Sequence, residues 1–257
     1  EEHSTDCGYA LNKFTAYYSD SKILNLECND STTLTSGETK PSGYEYTAMT
    51  RVVIGDCVVS IGEMTFRDCT SLPSIDIPNS VTTIGDGAFT YCYGLTSIVI
   101  PNSVTYLGNS VFENSDLSEV TIGTGITEIN EYTFASTNLT KVTIPENIEV
   151  IYDGAFYGCD FLQDVVFKNN LVKIGKWAFE SCPLKEINLG TKVSVIDMYA
   201  FSGNKATSIT LPDSVTRIGD YAFAYCSVLP DDVIPPSVTE IGNYAFYGCE
   251  NLTSIVI

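Results

Sequence analysis

The chain has 257 residues, 44% hydrophobic and 18% charged, which excludes disorder and suffices for one sizeable core or one elongated repeat domain. The formal net charge of -19 argues against nucleic acid and anionic membranes as partners, because both bind basic patches. No apolar run approaches the ~20 residues that a membrane-spanning helix needs. The single histidine, His3, excludes His-based catalytic triads and nearly all His-containing metal sites.

Residues 51–257 carry an internal repeat, and we assign residues 1–50 to an N-terminal cap region. The repeat is clearest at a phenylalanine that returns every 22 or 23 residues. These phenylalanines are Phe66, Phe89, Phe112, Phe134, Phe156, Phe179, Phe201, Phe223 and Phe246. One unit cannot bury its apolar side chains alone, whereas stacked units share a continuous core. The period therefore predicts a solenoid of nine to ten coils.

Each unit begins with a short strand. An apolar pair flanks one variable residue, as in Ile98-Val99-Ile100, and a proline such as Pro101 often follows. Alternation with a period of two is typical of a half-buried strand. Stacking ten such strands predicts one parallel sheet about 45 Å long.

The stretch 84–89, IGDGAF, could in isolation be a phosphate-binding loop, but its recurrence in near-copies identifies it as scaffold. The Gly85 position holds Gly, Asn or Asp in every unit except at Tyr152. Because these residues tolerate positive φ, we predict a left-handed turn there in each coil, altered at Tyr152. The small residue before each Phe, such as Ala88, predicts a short helical turn.

Three residues after the Phe, cysteine alternates with Ser115, Thr137 and Asn204. This exchange indicates a small, partly buried position and argues against a reactive thiolate. No CxxC pair occurs in the sequence, which argues against zinc. We therefore expect the repeat cysteines to be free thiols, and we expect no metal and no cofactor.

The order L-x-x-I-x-I-P-x-S-V-x-x-I-G-x-x-A-F-x-x-C, seen from Leu95 to Phe112, resembles the BspA-like leucine-rich repeat family, and the resemblance covers residues 52–257. It implies an α/β solenoid, a right-handed leucine-rich-repeat superhelix with one parallel sheet and short helical turns. It also implies a secreted or surface-displayed protein of host-associated microbes that adheres to host components or to other cells.

The N-terminal residues resemble the entry segment of the same family. Cys7 begins it, a strand-like run leads to Tyr17, a turn follows at residues 19–21, and residues 23–26 return. This pattern implies a capping hairpin over the first coil. Cys7 and Cys28 are the candidate pair for a cap disulfide in an oxidising compartment.

Side chains between the inward pairs are predicted to face the open side of the sheet. The candidate ligand face is Val99, Thr121, Thr143, Val166, Asn188 and Thr210. Such a Thr/Val-rich face is either a ligand surface or a row of strand-forming residues with nothing bound. A neighbouring column carries charges that vary from coil to coil, including Glu119, Lys141, Asp164 and Glu186.

A second candidate surface lies two positions before the Phe. It is a convex aromatic strip of Tyr132, Trp177, Tyr199, Tyr221 and Tyr244. Stacked outward-pointing aromatic rings are typical of interfaces, but they could equally shield the turns. Possible glycosylation sequons begin at Asn29, Asn138 and Asn251.

We interpret the chain as a non-catalytic, extracellular or cell-surface binding protein. Its expected partner is a protein or glycan on a host or neighbouring cell, with no nucleic acid and no membrane insertion within this segment. The alternative is a structural spacer or self-assembly module without a dedicated ligand face. Because the repeat runs up to Ile257, we also expect either further repeats or end-to-end self-association.

Overall fold

The computed structural model describes residues 12–27, 31–168, 170–226, 229 and 234–253, and these residues form a parallel β-solenoid of about nine coils. The predicted fold class is confirmed. Helix is nearly absent from the described residues, where α1 covers Ser36–Thr39 and a 3-10 turn covers Tyr46–Ala48.

The N-terminal hairpin is present and caps the first coil. Strand β1 (Asn12–Tyr18) pairs antiparallel with β2 (Ile23–Glu27) on one edge and with β4 (Met49–Ile54) on the other. The short strand β3 (Thr33–Leu34) lies between the hairpin and α1. The hairpin therefore continues the strand of the first coil and covers the first core layer.

The predicted strand row forms three hydrogen-bonded parallel pairs. Its strands are β7 (Ser97–Ile100), β9 (Glu119–Ile122), β11 (Lys141–Ile144), β13 (Asp164–Phe167), β15 (Glu186–Asn188) and β17 (Ser208–Thr210). The pairs are β7 with β9, β11 with β13 and β15 with β17, and the strands of different pairs do not share a ladder.

A second row of two-residue strands, which we did not predict, forms two parallel ladders, one from β3 to β8 and one from β10 to β19. It begins at β3 and continues with β5 (Ser60–Ile61), β6 (Thr83–Ile84), β8 (Tyr106–Leu107), β10 (Glu128–Ile129), β12 (Val150–Ile151), β14 (Lys173–Ile174), β16 (Val195–Ile196), β18 (Arg217–Ile218) and β19 (Glu240–Ile241). Two residues are too few to show an alternating pattern, so the sequence shows only one recurring apolar residue there.

The segment around each core phenylalanine is a set of separate turns. The main-chain N–H groups of Ala88 and Thr90 close three-residue turns on Gly85 and Gly87. The intervening N–H of Phe89 instead donates to Val111 in the next coil at 2.8 Å. Because the donors alternate between the same coil and the next one, a continuous helix cannot form. The predicted helical turns are therefore single turns linked from coil to coil.

A ladder of phenylalanine rings forms the centre of the core. Consecutive rings from Phe66 to Phe246 lie 5.0–5.6 Å apart with planes within 14° of parallel. Phe14 of the cap packs on Phe66 at 5.9 Å. Since offset ring pairs add about 0.5–1.5 kcal/mol each beyond burial, the ladder ties the cap and all the described coils into one core.

The prediction of a left-handed turn at the Gly85 position is wrong. Positive φ instead occurs two residues later, at Gly87 (60°) and its equivalents, and again four residues after that. Gly85 is required for space, because a Cβ atom there would lie 2.7 Å from the main-chain nitrogen of Glu63 in the previous coil. The expected altered turn at Tyr152 is also absent, since its N–H donates to Ile129 at 2.9 Å as Gly85 does to Ile61.

The six repeat cysteines are free thiols, as predicted, and they are fully buried or nearly so. Five of the six donate a hydrogen bond to the preceding coil. The thiols of Cys92, Cys159, Cys182, Cys226 and Cys249 lie 3.1–3.2 Å from a phenylalanine carbonyl oxygen of the preceding coil. Asn204 donates to Phe179 at 2.9 Å in the same way. The position therefore selects a buried donor as well as a small side chain.

The predicted Cys7–Cys28 disulfide lies outside the described residues and stays a prediction. Cys57, which we had not paired, is disulfide-bonded.

Candidate binding surfaces

The strand row presents the predicted ligand face as a continuous line of exposed side chains. Parallel register places Val99 beside Thr121, Thr143 beside Val166 and Asn188 beside Thr210. All six side chains are exposed, and Val99 is 60% exposed. They stand outward because the apolar residues on either side of each, such as Ile98 and Ile100, are buried in the core.

The charged column lies next to this row. Ser97 pairs with Glu119, Lys141 with Asp164, and Glu186 with Ser208. Lys185 reaches Asp164 at 3.5 Å on this face, and both side chains are more than half exposed. Solvent-exposed pairs of this kind contribute about 0–1 kcal/mol, so these charges are available to a ligand at little cost.

Hollows on the strand row coincide with the breaks in its hydrogen bonding. One hollow, of about 680 Å³, extends from Ser74–Ile77 across β7 and β9 to Lys141. Among the described residues, no main-chain hydrogen bond joins residues 74–77 to a neighbouring coil. A second hollow of about 380 Å³ lies between β9 and β11, where the ladder is interrupted again. The surface therefore combines exposed side chains with main-chain groups that have no partner strand.

The aromatic strip is half-buried except at the exposed Tyr244, and several of its rings stack on one another. The rings of Tyr199 and Tyr221 lie 4.7 Å apart and those of Tyr221 and Tyr244 lie 5.1 Å apart, both stacked. Tyr132 covers Gly154, because a Cβ atom at Gly154 would lie 2.4 Å from its ring. The faces of most of these rings therefore contact protein, and mainly their edges reach solvent.

The five aromatic residues of the strip occupy a left-handed backbone conformation. Their φ values run from 54° at Tyr132 to 57° at Tyr244. Such a conformation costs a non-glycine residue about 1–2 kcal/mol, and bulky residues rarely adopt it. The N–H groups of four of them, all except Tyr244, bond the following coil, which explains why the conformation persists there, and ring stacking offsets part of its cost.

Two further exposed tyrosines, Tyr225 and Tyr247, lie beside the strip and were not predicted from the sequence. Tyr225 follows the core Phe223 by two residues, and Tyr247 follows Phe246 directly. Their rings lie 5.4 Å apart and are almost perpendicular. They fall in columns where most coils carry other residue types, so no periodic signal marks them. Only the clustering of tyrosines in the last coils could have found them.

The remaining candidate residues lie at separate places on the surface. The amide of Asn138 is half-buried and donates to Asp116 at 3.3 Å, whereas Asn251 is exposed. Asn29 lies outside the described residues. No group of three metal-binding side chains occurs within the described part of the chain. No helix formed by the described residues has the length and hydrophobicity to cross a membrane.

A sequence profile described as the BspA type leucine rich repeat region matches the chain in six copies, over residues 38–163 and 149–257. No curated protein matches at a significant level. The profile spans most of the chain and includes both candidate surfaces.

Several solved structures are similar. A leucine rich cell surface protein of Faecalibacterium prausnitzii is 27% identical over 78% of this chain, with a TM-score of 0.49, and the match covers 64% of that protein. A leucine rich repeat protein of T. pallidum is 26% identical, with coverages of 80% and 82% and a TM-score of 0.51. The pneumococcal vaccine antigen PcpA is 19% identical, with coverages of 94% and 70% and a TM-score of 0.53.

Proposed function

This chain belongs to the BspA-type leucine-rich repeat family, and from that membership we propose that it is a non-catalytic, extracellular or cell-surface protein that binds a protein or glycan of a host or neighbouring cell. The binding surface is the strand row, with Val99, Thr121, Thr143, Val166, Asn188 and Thr210 as contact residues. The similar cell surface protein of Faecalibacterium prausnitzii agrees with this location by its description.

One observation supports the strand row most strongly. Its side chains are held in register, exposed, and backed by a rigid core, while the hollows beside them expose main-chain groups without a partner strand. A ligand that reaches into these hollows gains main-chain hydrogen bonds as well as side-chain contact. The surface is shallow and extended, so binding relies on area, and a few central residues should contribute most of the affinity.

The test is a binding screen of the intact chain against host matrix proteins and glycans. Two triple variants are then compared on any ligand found. In the first, Thr143, Val166 and Asn188 become Lys; in the second, Trp177, Tyr199 and Tyr221 become Ser. We expect the first variant to lose binding and the second to keep it.

The other outcomes discriminate between the remaining hypotheses. Loss of binding only in the aromatic variant would identify the aromatic strip as the site and refute the strand row. Unchanged binding in both folded variants, or no ligand in the screen, would favour a spacer or self-assembly module. Urea titration of each variant establishes that a loss does not arise from unfolding.

A further inference from the structure

Three exposed tyrosines form an open corner near the end of the described chain. The ring of Tyr247 is nearly perpendicular to that of Tyr225, at 5.4 Å and 87°, and to that of Tyr244, at 5.9 Å and 87°. The three side chains are 51–61% exposed. We call Tyr225, Tyr244 and Tyr247 the tyrosine corner. Exposed aromatic groups in mutual contact are typical of interfaces.

Elsewhere in the described residues, several tyrosine rings already hold a cation. Lys22 lies over Tyr44, Lys40 over Tyr46, Arg51 over Tyr17 and Arg67 over Tyr91, at 4.8–5.9 Å from the ring centroids. No lysine or arginine of the described residues lies over a ring of the tyrosine corner. Because ring faces carry negative electrostatic potential, the corner offers an unused site for a cation.

The surroundings of the corner are acidic. From Asp197 on, the described residues include five acidic and two basic ones, and one of the two basic residues, Arg217, is engaged by Glu240 and Asp197. Asp220 accepts a hydrogen bond from the main chain of Asn243, directly before Tyr244, at 2.7 Å.

The backbone conformation of these tyrosines also supports a binding role for their rings. Tyr225 and Tyr244 hold φ values of 61° and 57°, where Gly or Asn would be less strained. Other coils do carry Asn114 and Gly203 in the column of Tyr225. An aromatic residue that tolerates an unfavourable conformation on an exposed surface is typical of a site with a function.

We propose that the tyrosine corner binds an arginine side chain of a basic polypeptide. The guanidinium group lies against one or two tyrosine faces, and the surrounding carboxylates attract the rest of the basic segment. This surface is separate from the strand row, so the proposal stands independently of the ligand face. Arginine is favoured over lysine because its planar group stacks on rings and is more weakly hydrated.

The test is calorimetric titration of the chain with a glycine-arginine repeat peptide. The key variant is Tyr225→Asn with Tyr247→Ser. Its matched control is Tyr91→Asn with Tyr93→Ser, because Tyr91 occupies the same column as Tyr225 but is already covered by Arg67. Tyr93 and Tyr247 are each 51% exposed, and neither double variant changes the net charge.

We expect the corner variant to bind the peptide at least about tenfold more weakly and the control variant to bind like the unaltered chain. A peptide with citrulline in place of arginine should not bind. Equal affinity in both variants would show that net charge alone attracts the peptide and would overturn the proposal, as would absence of binding to the unaltered chain. The variant Tyr247→Ser alone, which leaves every left-handed residue in place, separates loss of the ring from any change in folding.

Discussion

The thiol of Cys92 lies 3.1 Å from the carbonyl oxygen of Phe66 in the preceding coil. The hydrogen bond links two coils at a fully buried position, next to the ring ladder. In other coils Asn204 also donates to a phenylalanine of the preceding coil, whereas Ser115 and Thr137 donate to the phenylalanine carbonyl of their own coil. The Phe66 carbonyl also accepts the main-chain N–H of Cys69, so the Cys92 thiol supplies a second hydrogen bond to a buried acceptor.

The hydrogen bond from Cys92 predicts that a serine substitution at this position is less destabilising than an alanine substitution. Cys92→Ser keeps a donor at the site, whereas Cys92→Ala removes it and leaves the Phe66 carbonyl with only the main-chain N–H of Cys69, at 3.1 Å. We expect the alanine variant to lose about 0.5–1.5 kcal/mol of unfolding free energy and the serine variant to lose less. Urea titration at neutral pH measures both. An alanine variant as stable as the serine variant would show that volume alone governs the position.

The buried thiols also predict how stability depends on pH. Burial raises the pKa of Cys69 and Cys226 from 9.0 to about 12. Between these values the unfolded chain releases thiol protons that the folded chain retains, so stability is complete below pH 9 and falls as the pH rises toward 12. Urea midpoints at pH 8, 9 and 10 test the trend. A Cys226→Ser variant should show a shallower decline, and an unchanged slope would contradict the assignment.

Two neighbouring glycines should respond to substitution in opposite ways. Gly85→Ala places a Cβ atom 2.7 Å from the backbone of Glu63, and we expect a loss of about 2–3 kcal/mol or more. At Gly87 the backbone is left-handed, and asparagine tolerates this conformation. A Cβ atom at this position would lie no closer than 3.2 Å to any neighbouring atom, so we expect Gly87→Asn to lower the unfolding free energy by less than about 1 kcal/mol. Comparable losses in the two variants would show that close approach does not distinguish the two positions and would contradict this interpretation of Gly85.

A partly buried ion pair joins two segments of the cap region. Lys13 is fully buried, and its Nζ atom lies 2.7 Å from Oε1 of Glu38. Burial tends to raise the pKa of Glu38, but hydrogen bonds from Lys13 and Thr35 outweigh it and hold the pKa below 4.5. The stabilisation from Glu38 is therefore present above pH 4.5 and is lost as the pH falls through the lowered pKa.

Substitution of the pair should be strongly asymmetric. Glu38→Gln strands a buried charge and should cost about 3–5 kcal/mol, whereas Lys13→Met replaces it with an apolar side chain of similar length and should cost much less. The double variant should recover most of the loss of Glu38→Gln. Urea titration at pH 7 measures all three, and equal losses in the two single variants would rule out this account.

Most of the scaffold could be predicted because its signals repeat. The Phe ladder, the inward pairs and the exposed row from Val99 to Thr210 follow from a period of 22 or 23 residues combined with strand alternation. The role of Gly85 could not be predicted, because a glycine needed for close approach and a glycine needed for positive φ look identical in a sequence. Tyr199 at a φ of 57° contradicts ordinary residue preference, so tertiary contacts determine it.

The candidate sites were less predictable than the scaffold. The breaks between β9 and β11 and the perpendicular rings of Tyr225 and Tyr247 depend on small displacements between coils. Such displacements arise from packing and produce no periodic pattern in the sequence. The hydrogen-bonding role of Cys92 was hidden for another reason, since cysteine is also a common small apolar residue in cores.

The neighbour-to-neighbour construction of the Phe ladder has a mechanical consequence. Each described coil packs mainly on the coil before it and the coil after it, through one ring contact and short backbone rows. Under tension applied at the two ends, the chain should therefore yield one coil at a time from an end. Each coil released would lengthen the molecule by about 70–80 Å, the extended length of its residues. A tethered molecule of this design would absorb a pull in steps and keep its remaining coils folded.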